Sequence, residues 1–470
     1  MGDKRTKIFE SDNLWKSIFS MVVPALIAIL VMLIYNMADM IFVGQTGETA
    51  QVAAVSVVGP VFNLIMAVAM LISGGGTVII SKDLGAKDND HAKTISAVCI
   101  WGAIILGGLS AVFIICCNNP LLAFLGATPN IEDYARQYMI ILALGAPFLL
   151  ISNMLGQLLR AEGAVKDGLI GNLTGTAVNI ILDPVFILAM DMGVVGAAIA
   201  TVIGNIVASG FYFIYMRKKA IVINMSLKRA KLKPLLIFSV MALGLPNAIS
   251  TLLSGFASSF ANQLLSKYGS DTIAANAAAG RVNQIIIMFL MGICMGAQPL
   301  MSYNYGAGNL KKLSGVMKRI IILCVTTGTL ITLLVILLRK PVISLFLKDE
   351  AVAALAESIV TLLMLSSPFL GFFYLATNFL QATGAAMRAT AISALQKGLL
   401  LIPLLFILEN GFGFYGVVYA HVVADLSAVF ISGGFLLTAW ADTKEKLCAD
   451  HFSLKEVGEQ PSIFSNTDVK

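Results

Sequence analysis

Runs of about twenty apolar residues recur along this chain, each long enough to cross the hydrocarbon core of a bilayer as a helix. They predict twelve spans, near 17–43, 50–73, 93–117, 134–155, 168–190, 194–216, 235–265, 272–300, 316–338, 352–376, 386–408 and 416–440. In lipid a backbone satisfies its own hydrogen bonds only as a helix or a closed barrel. Runs this long and continuous therefore specify an all-α integral membrane protein. Composition agrees, with 58% of the 470 residues hydrophobic and 12% charged. Several runs exceed the core thickness, which predicts tilt or ends that project into water. A charged start with no small-residue cleavage site precedes the first run, so it reads as a retained helix.

The second half of the chain repeats the first. At an offset of 221, Pro147-Phe148-Leu149 returns as Pro368-Phe369-Leu370, and Leu159-Arg160-Ala161-Glu162-Gly163-Ala164 as Leu380-Gln381-Ala382-Thr383-Gly384-Ala385. Ser81, Gly85 and Ala86 return as Ser302, Gly306 and Ala307, and at offset 220 Gly193, Gly196 and Ala200 meet Gly413, Gly416 and Ala420. An even number of spans per half predicts two parallel six-helix repeats related by an axis along the membrane normal. The expected organisation is an N-terminal segment 1–16, a first lobe 17–216, a basic linker 217–234, a second lobe 235–440 and a tail 441–470. Lobes so related can enclose a central cavity and rock to open it to either side. The polar tail from Asp442 to Lys470 carries no motif and reads as disordered.

Basic residues set the orientation. With both termini in the cytoplasm, inside segments hold 25 of the 32 Lys and Arg, outside loops hold five, and Arg281 and Lys397 fall within spans. This positive-inside bias predicts a multi-pass protein of the inner (plasma) membrane. The richest cluster, Arg217-Lys218-Lys219 through Lys228, Arg229, Lys231 and Lys233, lies between the sixth and seventh spans. The net charge of +6 is thus a topology signal and not a nucleic-acid footprint. None of the six cysteines stands in a CxxC pair or other metal-ligand spacing, so no metal site or cofactor is expected.

Charged residues within the spans carry the functional argument, because an aspartate deep in lipid normally faces a cavity or a partner. Asp39 lies toward the end of the first span. Asp183 lies in the fifth, four residues after Asn179 and on the same helix face, with Pro184 freeing the carbonyl of Ile180. Each aspartate reads either as an interfacial residue reaching water or as one of two carboxylates that take up and release H⁺ or Na⁺. The repeat did not keep them, since their counterparts are Phe260 and Leu404. The second half offers Arg281, Lys397, His421 and Asp425 instead, as a polar network in which Lys397 and Asp425 are expected to form an ion pair. His421 is the only histidine in the spans, which argues against a metal there. Prolines mark kinks at Pro24, Pro246, Pro147 and Pro368, with Pro24 the candidate hinge because it shares a helix with Asp39.

Five segments in order carry a family resemblance: Asp39-Met40-Ile41-Phe42-Val43-Gly44, Leu159-Arg160-Ala161-Glu162-Gly163, Asn179-Ile180-Ile181-Leu182-Asp183-Pro184, Gly193-Val194-Val195-Gly196-Ala197-Ala198 and Gly296-Ala297-Gln298-Pro299-Leu300. With them the chain, from about residue 15 to 440, resembles the multidrug and toxic compound extrusion (MATE) transporters, nearest the DinF and MepA-like branch. The resemblance implies a V-shaped pair of six-helix lobes that exports cationic or amphipathic organic compounds in exchange for H⁺ or Na⁺. The chain is expected to act on small-molecule substrates as a monomer among membrane lipids, with its oligomeric state left open by the sequence. The coupling positions that the resemblance carries over are Asp39 and Asp183, with Asn179, Thr201 and Asn153 as polar neighbours. The acids that form a cation site in the seventh and tenth helices of the NorM branch have no cavity-deep match here. Glu357 lies near a helix end, which favours proton coupling through the first lobe. A lipid-linked oligosaccharide flippase shares this architecture but usually has several cationic residues in the first lobe, whereas the in-span basic residues here are both in the second. A major facilitator carrier does not fit the Ser81-Lys82-Asp83-Leu84-Gly85-Ala86-Lys87 segment. An intramembrane enzyme would need a nucleophile or metal constellation, and neither HExxH nor GxSxG occurs.

Overall fold

The computed structural model describes residues 7–45, 48–230, 234–344, 347 and 349–456, without side chains at 36–41, 44, 49, 270 and 448–456. The first six long helices are α1 (Leu14–Gly44), α2 (Thr49–Gly85), α3 (Asn89–Cys116), α4 (Pro129–Ala161), α5 (Val165–Pro184) and α6 (Gly193–Lys219). The second six are α7 (Pro234–Leu265), α8 (Ser270–Gly306), α9 (Leu310–Leu337), α10 (Glu350–Leu363 with Ser367–Ala382), α11 (Ala386–Phe412) and α12 (Phe414–Glu456). Eleven of these are single helices long and apolar enough to cross a membrane, and the bent pair of α10 makes the twelfth. Among the described residues there is no strand.

The sequence repeat is also a structural one. The second helix of each half has 37 residues, about 55 Å, so both project beyond the hydrocarbon core. Both third helices start with the same chemistry. Asp88 accepts the amide of His91 at 2.9 Å, and its counterpart Asn309 accepts that of Lys312 at 3.0 Å, each satisfying an orphan donor of the first turn.

Two features interrupt the regular helices, and the first is the kink expected at Pro368, which proves to be a full break. The tenth span is broken by a 50° bend between Leu363 and Ser367, where the chain enters Pro368 at the head of a new helix. Its counterpart Pro147 is accommodated inside continuous α4. In addition, π-helical turns occur at Val185–Ala189, just after Pro184, and at Leu395–Leu400, just before Pro403. At Pro403 the ring displaces the carbonyl four residues back, that of Leu399, and the wider turn there absorbs the displacement, whereas the turn at Val185–Ala189 follows its proline. The expectation of a disordered tail is corrected as far as Glu456, because α12 runs on as one helix; residues 457–470 lie outside the described residues.

Each half packs its second helix on the first helix of the other. A Cβ on Gly75 of α2 would fall 1.8 Å from the Val240 carbonyl oxygen of α7, and one on its counterpart Gly296 of α8 would fall 3.0 Å from Val22 Cα of α1. In lipid such close backbone approach, which small residues permit, replaces the hydrophobic drive for association. These contacts lie toward the basic end of the bundle, where residues 217–230 run. Toward the opposite end the same helix faces part. Ser56, Pro60 and Asn63 of α2 and their counterparts Ala277, Arg281 and Gln284 of α8 are all exposed.

The segment between the halves is not a loose tether. Val222 and Ile223 are buried, Ser96 Oγ donates to the Val222 carbonyl at 2.8 Å, and Arg229 pairs with Asp90 at 2.9 Å. Residues 220–230 are thereby strapped to the first half before the chain enters α7.

Candidate substrate and coupling site

Helices α1, α2, α4, α5 and α6 enclose a cavity of about 130 Å³. One wall is apolar, from Met32, Phe62, Met66 and Leu149. The other carries the carboxamides of Asn153, Asn172, Asn179 and Asn205 with the hydroxyls of Ser152, Thr176 and Thr201. Their spacing accounts for the wall: Asn172, Thr176 and Asn179 recur at helical intervals on α5, and Thr201 and Asn205 do so on α6. Tyr35 of α1 shares a hydrogen bond of 3.0 Å with Thr201 Oγ1, closing the cavity between α1 and α6. Asn205 donates to the Thr201 carbonyl at 2.9 Å and accepts from Ser152 Oγ at 2.5 Å. Ser73 Oγ donates to Asn153 Oδ1 at 3.4 Å.

Asp183 is fully buried one turn beyond Asn179, whose Nδ2 donates to Asp183 Oδ1 at 3.4 Å. The interfacial reading of Asp183 is therefore corrected: its carboxyl does not reach water at the helix end. It sits at the last turn of regular α5, against the π-helical turn that follows Pro184. Asp39 falls on the helical backbone of α1, but its side chain lies outside the described residues. Of the five predicted polar positions, Asn153, Asn179 and Thr201 line one cavity and Asp183 stands directly behind it.

In the second half the structure brings His421 within electrostatic reach of both Lys397 and Asp425, but the expected Lys397–Asp425 ion pair is not made. The buried Asp425 carboxylate accepts from Gln396 Nε2 at 2.9 Å and from Ser366 Oγ at 3.4 Å. Gln396 belongs to the π-helical turn of α11 and Ser366 to the break in α10, so both irregular backbones meet on one carboxylate. His421 turns its Nδ1 to the Val417 carbonyl at 3.0 Å, and Arg281 is exposed on the parted face of α8. Glu357 pairs with Arg339 at 3.6 Å and is not in the lining of the first-half cavity. No group of three or more His, Cys, Asp or Glu capable of holding a metal ion occurs among the described residues.

Sequence reasoning missed Tyr35, Asn172, Asn205 and Tyr212 as cavity residues. Asn205 was within reach, because it is the counterpart of Asp425; the others are single polar residues on apolar helices whose facing needs the fold. Sequence reasoning also assigned both in-span basic residues to the second half. The structure adds Arg160, near the end of α4, which lines a smaller cavity of about 60 Å³ beside the first. Pro24, the candidate hinge, lines that smaller cavity too.

Comparison with known proteins agrees with this architecture. The MatE family model matches residues 24–185 and again 235–407, once in each half. The multidrug export protein MepA of Staphylococcus aureus (strain N315) is 32% identical over 425 residues, covering 90% of this chain and 94% of that one. Its counterpart from Staphylococcus saprophyticus is 31% identical over the same length. Among solved structures, an outward-facing multidrug resistance MATE family transporter superposes with a TM-score of 0.89 at 22% identity, covering 94% of this chain and 99% of the other. A transporter of the same superfamily from Pyrococcus furiosus, described as having a binding pocket of reversed polarity, superposes with a TM-score of 0.87 at 22% identity, over the same shares of the two chains. The duplicated family match and the extent of these similarities establish that the chain belongs to the MatE family of multidrug and toxic compound extrusion transporters, and not to a family of enzymes.

Proposed function

We propose that this protein is a secondary active multidrug exporter that moves cationic or amphipathic organic compounds outward in exchange for H⁺, or for Na⁺. The observation that carries the reading is the buried Asp183–Asn179 pair behind a cavity with one apolar and one carboxamide wall. The apolar wall accepts varied flat molecules and the amides adapt to different polar groups, while a carboxylate favours a positively charged one. Protonating the carboxyl removes that attraction, so proton entry biases release of the cation. Asp39 is the proposed second coupling group, and Asn153, Asn179 and Thr201 are the proposed polar contacts.

In this reading residues 17–216 and 235–440 act as two lobes joined by 217–234, alternating between states open at one end and at the other. Their contact at the basic end, with parted faces at the opposite end, supports an outward-open form when both termini and the linker lie in the cytoplasm of the plasma membrane. The staphylococcal relatives are named multidrug export proteins, which favours drugs as the substrate class. We take the working unit as a monomer surrounded by lipid. Efflux of ethidium from proteoliposomes, under an imposed pH gradient and separately a Na⁺ gradient, tests this. Transport driven by one gradient identifies the coupling ion, and no dye movement under either overturns the export reading.

A further inference from the structure

The polar interior of the first half does not end at the Asn179 level. The larger and smaller cavities share Ser152, Asn153, Asn172 and Tyr212, so they adjoin. Between Asn179 and Gly168 the shared wall follows α5 for about 16 Å toward the basic end, roughly half of a 30 Å hydrocarbon core. Each cavity has room for several waters. A wetted track of this length beside a coupling carboxylate is a hazard, because ions crossing it would dissipate the gradient without moving substrate.

Arg160 stands at the basic end of this track and is the only charged side chain in the lining of either cavity. Its guanidinium makes one long hydrogen bond, from Nε to the Gly156 carbonyl at 3.5 Å. Among the described residues no carboxylate pairs with it, and the nearby Glu162 is taken up by Tyr215 Oη at 2.9 Å and the amides of Ile221 and Val222. The repeat isolates the charge further. The counterpart of Arg160 is Gln381, a fully buried neutral residue that accepts from Gln298 at 2.8 Å and donates to the Leu243 carbonyl at 3.0 Å. Only the half with the polar track carries a cation at this position.

We infer that Arg160 is an electrostatic barrier that closes the basic end of the first-half track to Na⁺ and hydrated protons, and so keeps ion movement tied to transport. A fixed, uncompensated guanidinium repels cations in a narrow, low-dielectric passage, the device by which pore-lining arginines exclude them. The inference rests on the proposed coupling role of the first half, but its test does not need substrate.

The test is the substrate-free leak of H⁺ and Na⁺ into proteoliposomes under an imposed membrane potential. Arg160→Gln should leak at least about tenfold faster than wild type, and Arg160→Lys, which keeps the charge, should stay tight. Returning a cation across the same neck, as Asn172→Arg in the Arg160→Gln background, should reseal it, which a purely structural role would not do. Should Arg160→Gln not fold, Asn172→Asp carries the test, since a carboxylate facing Arg160 cancels its field and should open the same leak. Vesicles as tight as wild type with Arg160→Gln, or with Asn172→Asp where that variant stands in, overturn the barrier. Failure of dye export, with the leak behaving as expected, would overturn the export reading and leave the barrier in place.

Discussion

Gly85 and Gly306 are 221 residues apart in sequence and lie against each other's helices in space. A Cβ on Gly85 would fall 2.0 Å from the Tyr303 carbonyl oxygen, and one on Gly306 would fall 2.0 Å from the carbonyl oxygen of Lys82, itself the counterpart of Tyr303. The repeat axis therefore passes between these glycines, at the basic ends of α2 and α8. Any side chain here must push the two halves apart. Gly85→Val or Gly306→Val should destabilise the closed contact by about 1–3 kcal/mol. Dye efflux should fall while the protein stays folded in the membrane. Gly59→Ala and Gly280→Ala, where a Cβ meets nothing within 4 Å, are the matched controls. They should transport normally, with thermal unfolding midpoints equal to or above wild type, because alanine is the better helix former by about 1 kcal/mol.

Asp183 and Asn179 give the next test. Asp183→Asn keeps size and burial but removes the titratable charge, so gradient-driven efflux should be lost while gel-filtration behaviour is unchanged. Asn179→Asp places a second carboxylate one helical turn away, and two such neighbours resist ionising together. The proton affinity of the pair rises, so the pH profile of transport should move to higher pH. Efflux measured across a pH series reads both variants, and normal efflux by Asp183→Asn would remove this residue from the proposed coupling site.

How much of this was legible follows from what each residue depends on. The spans were, because apolar length is local. The duplication was, because Gly85 and Gly306 or Asp88 and Asn309 remain chemically equivalent in both copies. Asn179 and Asp183 were, because four-residue spacing fixes a shared face. A kink at Pro368 was legible from the proline itself, but that it is a full break while Pro147 sits inside an unbroken helix depends on the surroundings of each. Arg160 counted among the inside basic residues beyond the fourth span, 134–155; that it borders a cavity depends on α1, α5 and α6 as well. The Lys397–Asp425 pair failed for the opposite reason. Opposite charges in nearby spans suggested a partner, but the π-helical turn brings Gln396 rather than Lys397 to the carboxylate.

That carboxylate makes a stability prediction. Asp425 is buried and held by Gln396 and Ser366 across two irregular stretches of backbone. Ser366→Ala removes the longer bond and should cost about 1 kcal/mol. Gln396→Leu takes away the stronger donor and leaves a buried acceptor underpaired, which should cost about 1–3 kcal/mol. Thermal unfolding in detergent should therefore rank wild type above Ser366→Ala and Ser366→Ala above Gln396→Leu.

Glu162 makes the last. Its buried carboxylate accepts from Tyr215 Oη and from the amides of Ile221 and Val222, joining the end of α4 to α6 and to the strap that follows. Those amides lie where α6 has ended, so without the carboxylate they have no helical carbonyl to turn to. Glu162→Ala should lose about 1.5–3 kcal/mol, the range for hydrogen bonds to a charged group. It should also loosen residues 220–230 before it unfolds the bundle, because the remaining polar ties are the two bonds of Ser96 and single contacts at Trp101 and Asp90. Lys228 and Arg229 are exposed on that strap, so trypsin reports its release directly. Brief digestion should divide Glu162→Ala into two halves at this segment while wild type stays largely intact. Equal cleavage of the two proteins would mean that the strap is held by its buried Val222 and Ile223 side chains and not by the carboxylate.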